Sequence, residues 1–135
     1  MERIEWTSDF DVGVKAVDEQ HKRLVEMLNV LGKAIDENHG KDAIMGIVEE
    51  MKQYAQYHFQ TEEDAMEATD YPKRSPHKQE HDSFIEQVLD AADALESGGK
   101  ITPQEVWTFL RTWLTEHILG SDKAFGPHLN AHGMH

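Results

Sequence analysis

The chain has 135 residues, a formal net charge of −13 and no cysteine. This length fits a single domain, residues 1–135, with one buried core, and so acidic a surface argues against binding to nucleic acid or to an anionic membrane. The lack of cysteine excludes disulfides, zinc–thiolate sites and iron–sulfur ligation. No apolar run approaches the ~20 residues that span a bilayer, and the chain does not begin with a basic segment followed by an apolar one. We therefore expect a cytoplasmic protein without membrane insertion.

The start of the chain carries no sustained helical period. Residues 1–17 are therefore expected to form an irregular arm that packs on the domain through Trp6. The first predicted helix covers residues 18–38, with Asp18 as its N-cap. Gly40 is expected to take the left-handed position that ends many helices.

Three further amphipathic helices are predicted. The second covers residues 42–66. The third begins at Ser75-Pro76, an N-cap serine followed by a proline at the first helical position, and Gly98-Gly99 stop it. The fourth opens with the sequence Thr-Pro-Gln-Glu at residues 102–105, which is both a capping box and a proline at the first position, and it ends at Gly120.

The C-terminal segment, residues 123–135, is interrupted by Gly126 and Pro127, so a loosely packed tail is expected. A weak site for a soft metal at the histidines of this tail, His128, His132 and His135, is the less favoured alternative. Four amphipathic helices over residues 18–122, joined by short loops, predict an all-α, up-down-up-down antiparallel four-helix bundle.

Five histidines and one glutamate fall on the predicted buried faces of the four helices: His21, His58, Glu62, His77, His81 and His117. A spacing of four places His58 beside Glu62, and His77 beside His81, on one face of each helix. Burying these groups without partners would cost roughly several kcal/mol each, more than a small bundle can offset. Metal coordination would satisfy all of them together. Imidazole and carboxylate ligands without sulfur suit iron, manganese or zinc.

The number of these groups exceeds the capacity of one ion once Asp122 is included, so two ions bridged by carboxylates fit the set better. Neutral donors dominate, which favours Fe(II) and reversible chemistry. In order, spacing and helix placement, the set resembles the hemerythrin signature, and the whole chain is similar to stand-alone bacterial hemerythrins: His21, His58-x-x-x-Glu62, His77-x-x-x-His81 and His117-x-x-x-x-Asp122.

The resemblance implies a non-haem centre of two iron ions, Fe(II) or Fe(III), with a bridging hydroxide or oxide. Its implied function is reversible O₂ binding for oxygen transport, storage, delivery or sensing, without enzymatic activity. One iron would take His77, His81 and His117. The other would take His21 and His58 and keep an open position, while Glu62 and Asp122 bridge the two. Five residues correspond to the apolar O₂ pocket of the family: Leu24, Phe59, Trp113, Leu114 and Ile118.

Two alternatives stay open at the level of the sequence. One is a di-iron enzyme or detoxifier acting on nitric oxide, peroxide or iron, which a polar substrate channel would favour. The other is a structural pair of zinc or manganese ions. Glu63, Glu80 and Glu116 are close enough in sequence to be hydrogen-bond partners of the histidines. A monomer is expected, and an oxygen-consuming enzyme is one candidate for a protein partner.

Overall fold

The computed structural model describes all 135 residues, and its secondary structure consists of helices without strands. Four long helices form the predicted up-down-up-down bundle, which confirms the fold class. A 3₁₀ turn at Ser8–Phe10 lies in the N-terminal arm, and a π-helical turn at Ile118–Asp122 follows the fourth helix. The helices are α1 (Lys15–Asp36), α2 (Lys41–Ala68), α3 (Arg74–Glu96), α4 (Pro103–His117) and a fifth, α5 (Lys123–Ala131).

Two groups of buried apolar side chains stabilise this arrangement. The apolar core lies between the four long helices and includes Leu28, Leu31 and Leu110, each no more than 1% exposed. The second group, which we call the cap cluster, joins the arm to the ends of α2 and α5. Its members are Val12, Val14, Val17, Ala65, Met66, Tyr71, Phe125 and Leu129. No helix is long and apolar enough to cross a membrane.

Several helix ends differ from the prediction. Helix α1 begins at Lys15, three residues before Asp18. The Asp18 carboxylate instead accepts hydrogen bonds from the backbone N–H groups of Val12 (2.8 Å) and Gly13 (3.3 Å). Asp18 therefore pairs with backbone N–H groups at the end of the arm and does not cap the helix. Trp6 does pack against the apolar core, although it is only partly buried.

The turn between α1 and α2 was also predicted differently. Asn38 takes the left-handed conformation, with φ of 57°, while Gly40 has φ of −66° and is the N-cap of α2. Asparagine tolerates this conformation because its short polar side chain can hydrogen-bond locally. At the start of α3 the helix begins at Arg74, one residue before the predicted serine.

The capping box of α4 is confirmed. Thr102 Oγ1 accepts a hydrogen bond from the backbone N–H of Glu105 at 3.1 Å, and Pro103 is the first residue of the helix. This pair fixes the start of the helix that carries His117.

The expectation of a loose tail is wrong for residues 123–131. They form α5, whose Phe125 and Leu129 are 1% and 0% exposed. The glycine that suggested a break has a packing role: a Cβ on Gly126 would lie 2.0 Å from the carbonyl oxygen of Val12. Helix α5 can therefore pack directly against the backbone of the arm only because residue 126 has no side chain.

Candidate metal centre

The structure brings all seven predicted metal ligands to one buried region between the helices. None of these residues is more than 4% exposed. Helix α1 contributes His21, α2 contributes His58 and Glu62, and α3 contributes His77 and His81, while His117 and Asp122 lie at the two ends of the π turn after α4.

Two pairs of ligands, one in α2 and one in α3, converge because each pair is four residues apart on its helix. Residues four apart on an α-helix lie one above the other, about 6 Å along the axis. In α2 this brings His58 Nε2 within 3.0 Å of Glu62 Oε2. In α3 it places the rings of His77 and His81 with centroids 4.7 Å apart, edge to face.

The pair His117 and Asp122 is five residues apart and needs a different local structure. In a regular α-helix, five residues advance about 500°, so the two side chains would point ~140° apart. The π-helical turn at Ile118–Asp122 accommodates one extra residue and returns the fifth residue to nearly the same face. As a result, His117 Nε2 and Asp122 Oδ1 lie 3.1 Å apart. The sequence prediction placed a helix end at Gly120 and missed this turn.

The ligand atoms form two groups that share both carboxylates. The five-donor group contains Glu62, His77, His81, His117 and Asp122, and the four-donor group contains His21, His58, Glu62 and Asp122.

The two oxygen atoms of each carboxylate face different groups. Glu62 Oε1 lies 3.0 Å from His81 Nε2, while Oε2 of the same residue lies 3.0 Å from His58 Nε2. Asp122 Oδ1 lies 2.9 Å from His77 Nε2, while its Oδ2 lies 2.9 Å from His21 Nε2. Each carboxylate is therefore placed so that it could bridge two metal ions, one held by each group.

The spacing of the atoms fits metal ions. Nitrogen and oxygen ligands bind a first-row ion at about 2.1 Å, and two such ligands at right angles are ~3.0 Å apart. The observed separations of ring nitrogen and carboxylate oxygen cluster at that value. Several of these buried atoms also have no hydrogen-bond partner within the protein: His21 Nε2, His58 Nε2, Glu62 Oε2 and both carboxylate oxygens of Asp122. Groups this deeply buried are normally satisfied, and ions at the two positions would satisfy them.

The electrostatics show how strongly the site attracts positive charge. Burial alone would lower the pKa of His21 and of His77, but the facing carboxylates of Asp122 and Glu62 outweigh it and raise both pKa values to about 9. Burial also opposes the charge of Glu62, yet the facing imidazoles, His58 first, hold its pKa well below the usual value. Without metal, protons therefore occupy the positions that cations would take, and the two compete.

Outer hydrogen bonds orient three of the rings. His58 Nδ1 lies 2.7 Å from Gln20 Oε1, His81 Nδ1 lies 3.0 Å from Glu63 Oε2, and His117 Nδ1 lies 3.3 Å from Glu80 Oε1. Each acceptor takes the Nδ1–H, which leaves the Nε2 lone pair directed into the site.

Of the three glutamates that the sequence suggested as partners, two make such contacts. Glu116 is exposed and bonds to no histidine ring. Gln20 was missed, although its position next to His21 could have suggested it. Glu80 also accepts a hydrogen bond from Ser121 Oγ at 2.7 Å, within the π turn, and the hydrogen bond from His117 lowers its pKa.

The five residues proposed for the O₂ pocket lie in or against the apolar core, and two of them stack on rings of the metal centre. Leu24, Leu114 and Ile118 are no more than 3% exposed and belong to the apolar core. Phe59 stacks on the ring of His81, with centroids 3.9 Å apart. The partly buried Trp113 stacks on the ring of His117, with centroids 4.4 Å apart.

Two clefts approach the site from the surface. One, of about 260 Å³, reaches His77 and is lined by Tyr71, Lys73, Glu80 and Ser121, among others. The other, of about 380 Å³, reaches His81 past Glu63. Both therefore approach histidines of the five-donor group.

The remaining histidines form no comparable group. His128 Nε2 lies 3.1 Å from the backbone oxygen of Thr69, and His132 Nδ1 lies 2.9 Å from that of His128. These rings hydrogen-bond the backbone at the end of α5. His39 is exposed beside Glu37.

Comparison with known proteins gives a consistent result. Residues 12–129 match the family model described as the hemerythrin HHE cation binding domain. A bacteriohemerythrin of Stenotrophomonas maltophilia is 34% identical over 132 residues, covering 98% of this chain and 85% of the relative. One of Clostridium acetobutylicum is 35% identical over 125 residues, covering 89% and 96%. A crystal structure of a wild-type hemerythrin superimposes with a TM-score of 0.87 at 29% identity, covering 95% of this chain and 98% of that one.

Proposed function

Because this chain belongs to the hemerythrin family, we propose that it binds O₂ reversibly at a di-iron centre held by the seven converging side chains. The five-donor group holds one iron and the four-donor group holds the other, with Glu62 and Asp122 bridging them. The single observation that carries the proposal is the division of both carboxylates between the two groups, one oxygen to each.

The unequal size of the two groups supports a binding role. Six ligands complete the coordination of iron in an octahedral site. The five-donor group comes close to that number, while the four-donor group leaves room for an external ligand. The chemistry that bound iron supplies is the reversible donation of electrons to O₂ by Fe(II).

The protein contributes orientation and exclusion of water. Gln20, Glu63 and Glu80 hold three imidazoles in the tautomer that presents Nε2 to the metal. Leu24 lies within one helical turn of His21, and Leu114 within one turn of His117. Both are buried in the apolar core, so they restrict the access of water and protons to the metal centre.

The position of the clefts favours a carrier over an enzyme. A substrate channel would have to reach the four-donor group, where the open position lies. The two polar clefts instead reach His77 and His81, which belong to the five-donor group. His21 and His58 are 0% and 1% exposed. A small apolar molecule such as O₂ can reach them through a packed interior more easily than a polar substrate.

The proposal includes a monomer working in the cytoplasm, and an oxygen-consuming enzyme is one candidate for its protein partner. The absence of cysteine is compatible with a reducing compartment. The strongly acidic surface, with a formal net charge of −13, keeps copies of the protein apart.

The test combines metal analysis with cycles of O₂ exposure. We expect two irons per chain and an absorption band that forms in air and disappears under argon over repeated cycles. His58→Ala should lose iron and the band, whereas His128→Ala, which changes a histidine outside the site, should keep both. Iron near one per chain in the wild type, or a band that does not reverse, would contradict the proposal.

A further inference from the structure

The outer hydrogen bonds of the histidines differ in charge between the two groups. In the five-donor group, His81 and His117 each donate Nδ1–H to a carboxylate, Glu63 and Glu80 respectively. In the four-donor group, His58 donates to the neutral amide oxygen of Gln20. His21 Nδ1 is buried and has no hydrogen-bond partner.

The amide of Gln20 is held in this orientation by a second contact. Its Nε2 donates to Thr61 Oγ1 at 3.3 Å, which leaves Oε1 for the ring of His58. Glu80 is held in turn by the hydroxyl of Ser121, at 2.7 and 2.8 Å. The hydrogen bond of Gln20 to His58 and that of Glu80 to His117 are therefore each fixed by a second hydrogen bond of the acceptor side chain.

A carboxylate that accepts Nδ1–H makes the imidazole a more basic ligand than an amide does. A more basic ligand donates more electron density, which stabilises Fe(III) relative to Fe(II). The positive charge of Lys78, whose Nζ lies 4.0 Å from Glu63 Oε1, reduces the effect of the Glu63 carboxylate on His81. The reduction is small because the Lys78 side chain is 56% exposed and solvent screens its charge.

We infer that Glu63 and Glu80 act as positioning residues that fix the order in which the two irons accept electrons, the four-donor iron first and the five-donor iron second. This inference rests on the di-iron function proposed above. With iron bound in both groups and oxidised to Fe(III), a one-electron reductant would reduce the four-donor ion to Fe(II) first and the five-donor ion second, and the reductant would lose one electron each time.

The ordering gives each variant a specific effect. Glu63→Gln and Glu80→Gln are isosteric, keep an acceptor for Nδ1–H and remove the charge. Each should raise the lower of the two reduction potentials, by about tenfold in the equilibrium constant, which is ~59 mV for one electron. Gln20→Glu places a carboxylate on His58 and should lower the higher potential by a similar amount. All three changes bring the two potentials closer together.

The experiment is a reductive titration of the diferric protein with dithionite and redox mediators. The mixed-valent state is followed by electron paramagnetic resonance, and the two irons by Mössbauer spectroscopy. Glu116→Gln is the matched control, because it removes the same charge one residue from His117 without touching a ring. Its two potentials should stay near those of the wild type.

Three results would overturn the inference. In the first, Glu63→Gln and Glu80→Gln shift both potentials equally, or no more than Glu116→Gln does. In the second, Gln20→Glu moves the lower potential. In the third, the wild type shows two indistinguishable potentials. If iron content is two per chain and O₂ binding is reversible, any of these outcomes removes only the ordering. If iron content is not two, the proposed function itself fails.

Discussion

In the apolar core, side chains such as Leu28 and Leu31 are fully buried and need no partner, whereas the metal-centre side chains are just as buried and all polar. The free energy of burying a leucine is available as soon as the chain folds. Burying an imidazole or a carboxylate is favourable only when its polar atoms are satisfied. The apolar core therefore stabilises the bundle by itself, and the metal centre stabilises it only with a bound cation.

Removal of iron should produce the largest effect, because it destabilises the metal centre and leaves the apolar core intact. An ion that binds only the folded state adds ~4 kcal/mol at a free concentration one thousand times its dissociation constant. Anaerobic chelation should therefore lower the melting temperature strongly. Amide exchange should speed up around His58, His77 and His117 and stay slower around Leu31. Equal melting curves with and without iron would contradict this expectation.

The second largest effect is expected from a matched pair of leucine truncations, one in the apolar core and one in the cap cluster beside the metal centre. Leu31 in the apolar core and Leu129 in the cap cluster are both 0% exposed. Each change to alanine should cost about 2.7–5 kcal/mol in free energy of unfolding. Only Leu129→Ala should also lower iron content, because α5 continues directly from the turn that ends at Asp122.

Chemical denaturation and metal analysis of the two leucine variants check this expectation. Full iron content in Leu129→Ala, at a stability as low as that of Leu31→Ala, would show that the cap cluster does not position the site.

The metal centre alone should respond to pH between 6.5 and 9. In the iron-free protein the pKa values of His21 and His77 are raised from 6.5 to about 9. Their contribution to stability is fully present below pH 6.5 and is lost as pH rises through 9. Iron requires neutral rings, so its apparent affinity should rise over the same interval, by up to about 1.4 kcal/mol per pH unit for each displaced proton.

Melting temperatures of both forms at pH 6, 7.5 and 9 test this expectation. The iron-free form should melt lower at each step, and the difference between the two forms should widen. An iron-free protein that becomes more stable from pH 6.5 to 9 would show that the facing carboxylates do not hold the rings protonated.

The smallest expected effect concerns Leu114, which belongs to the apolar core and lies within one turn of the ligand His117. Leu114→Ala should leave iron and O₂ binding in place but speed oxidation to Fe(III) several-fold, because the cavity admits water next to the metal centre. Leu110→Ala, one turn farther from His117 and equally buried, should cost similar stability without this effect.

The decay of the oxygenated absorption band at fixed pH measures the oxidation rate. Equal decay in wild type and Leu114→Ala would assign this leucine to ordinary core packing.

The sequence was sufficient for the bundle and for the convergence of His58 with Glu62 and of His77 with His81. Both follow from the helical period, which is a local property of the chain. All four long helices were also correctly delimited to within two residues at one or both ends, where caps such as Thr102 are local signals.

What the sequence did not reveal depends on contacts between distant segments. Gly126 was interpreted as a break, because nothing near it in sequence indicates that the carbonyl of Val12 will lie against it. Asp18 is an exception, because its partners are local: its carboxylate accepts hydrogen bonds from the backbone N–H groups of Val12 and Gly13, six and five residues earlier, and does not cap the helix. The choice among Glu63, Glu80 and Glu116 as outer partners required the relative rotation of α2, α3 and α4.

The π-helical turn at Ile118–Asp122 means that part of the site is specified by chain length as well as by residue identity. Removing Gly120, which is exposed, would leave every ligand residue present and would allow the turn to anneal into a continuous α-helix. The carboxylate would then follow its histidine by four residues, and α5 would be rotated by about 100° and drawn back by 1.5 Å. Mutational scans that only exchange the side chains of Leu119 and Gly120, which are both exposed, would find two tolerant surface positions. A single-codon deletion at the same place would uncouple the last helix from the arm, so insertions and deletions are the changes to which this segment should be most sensitive.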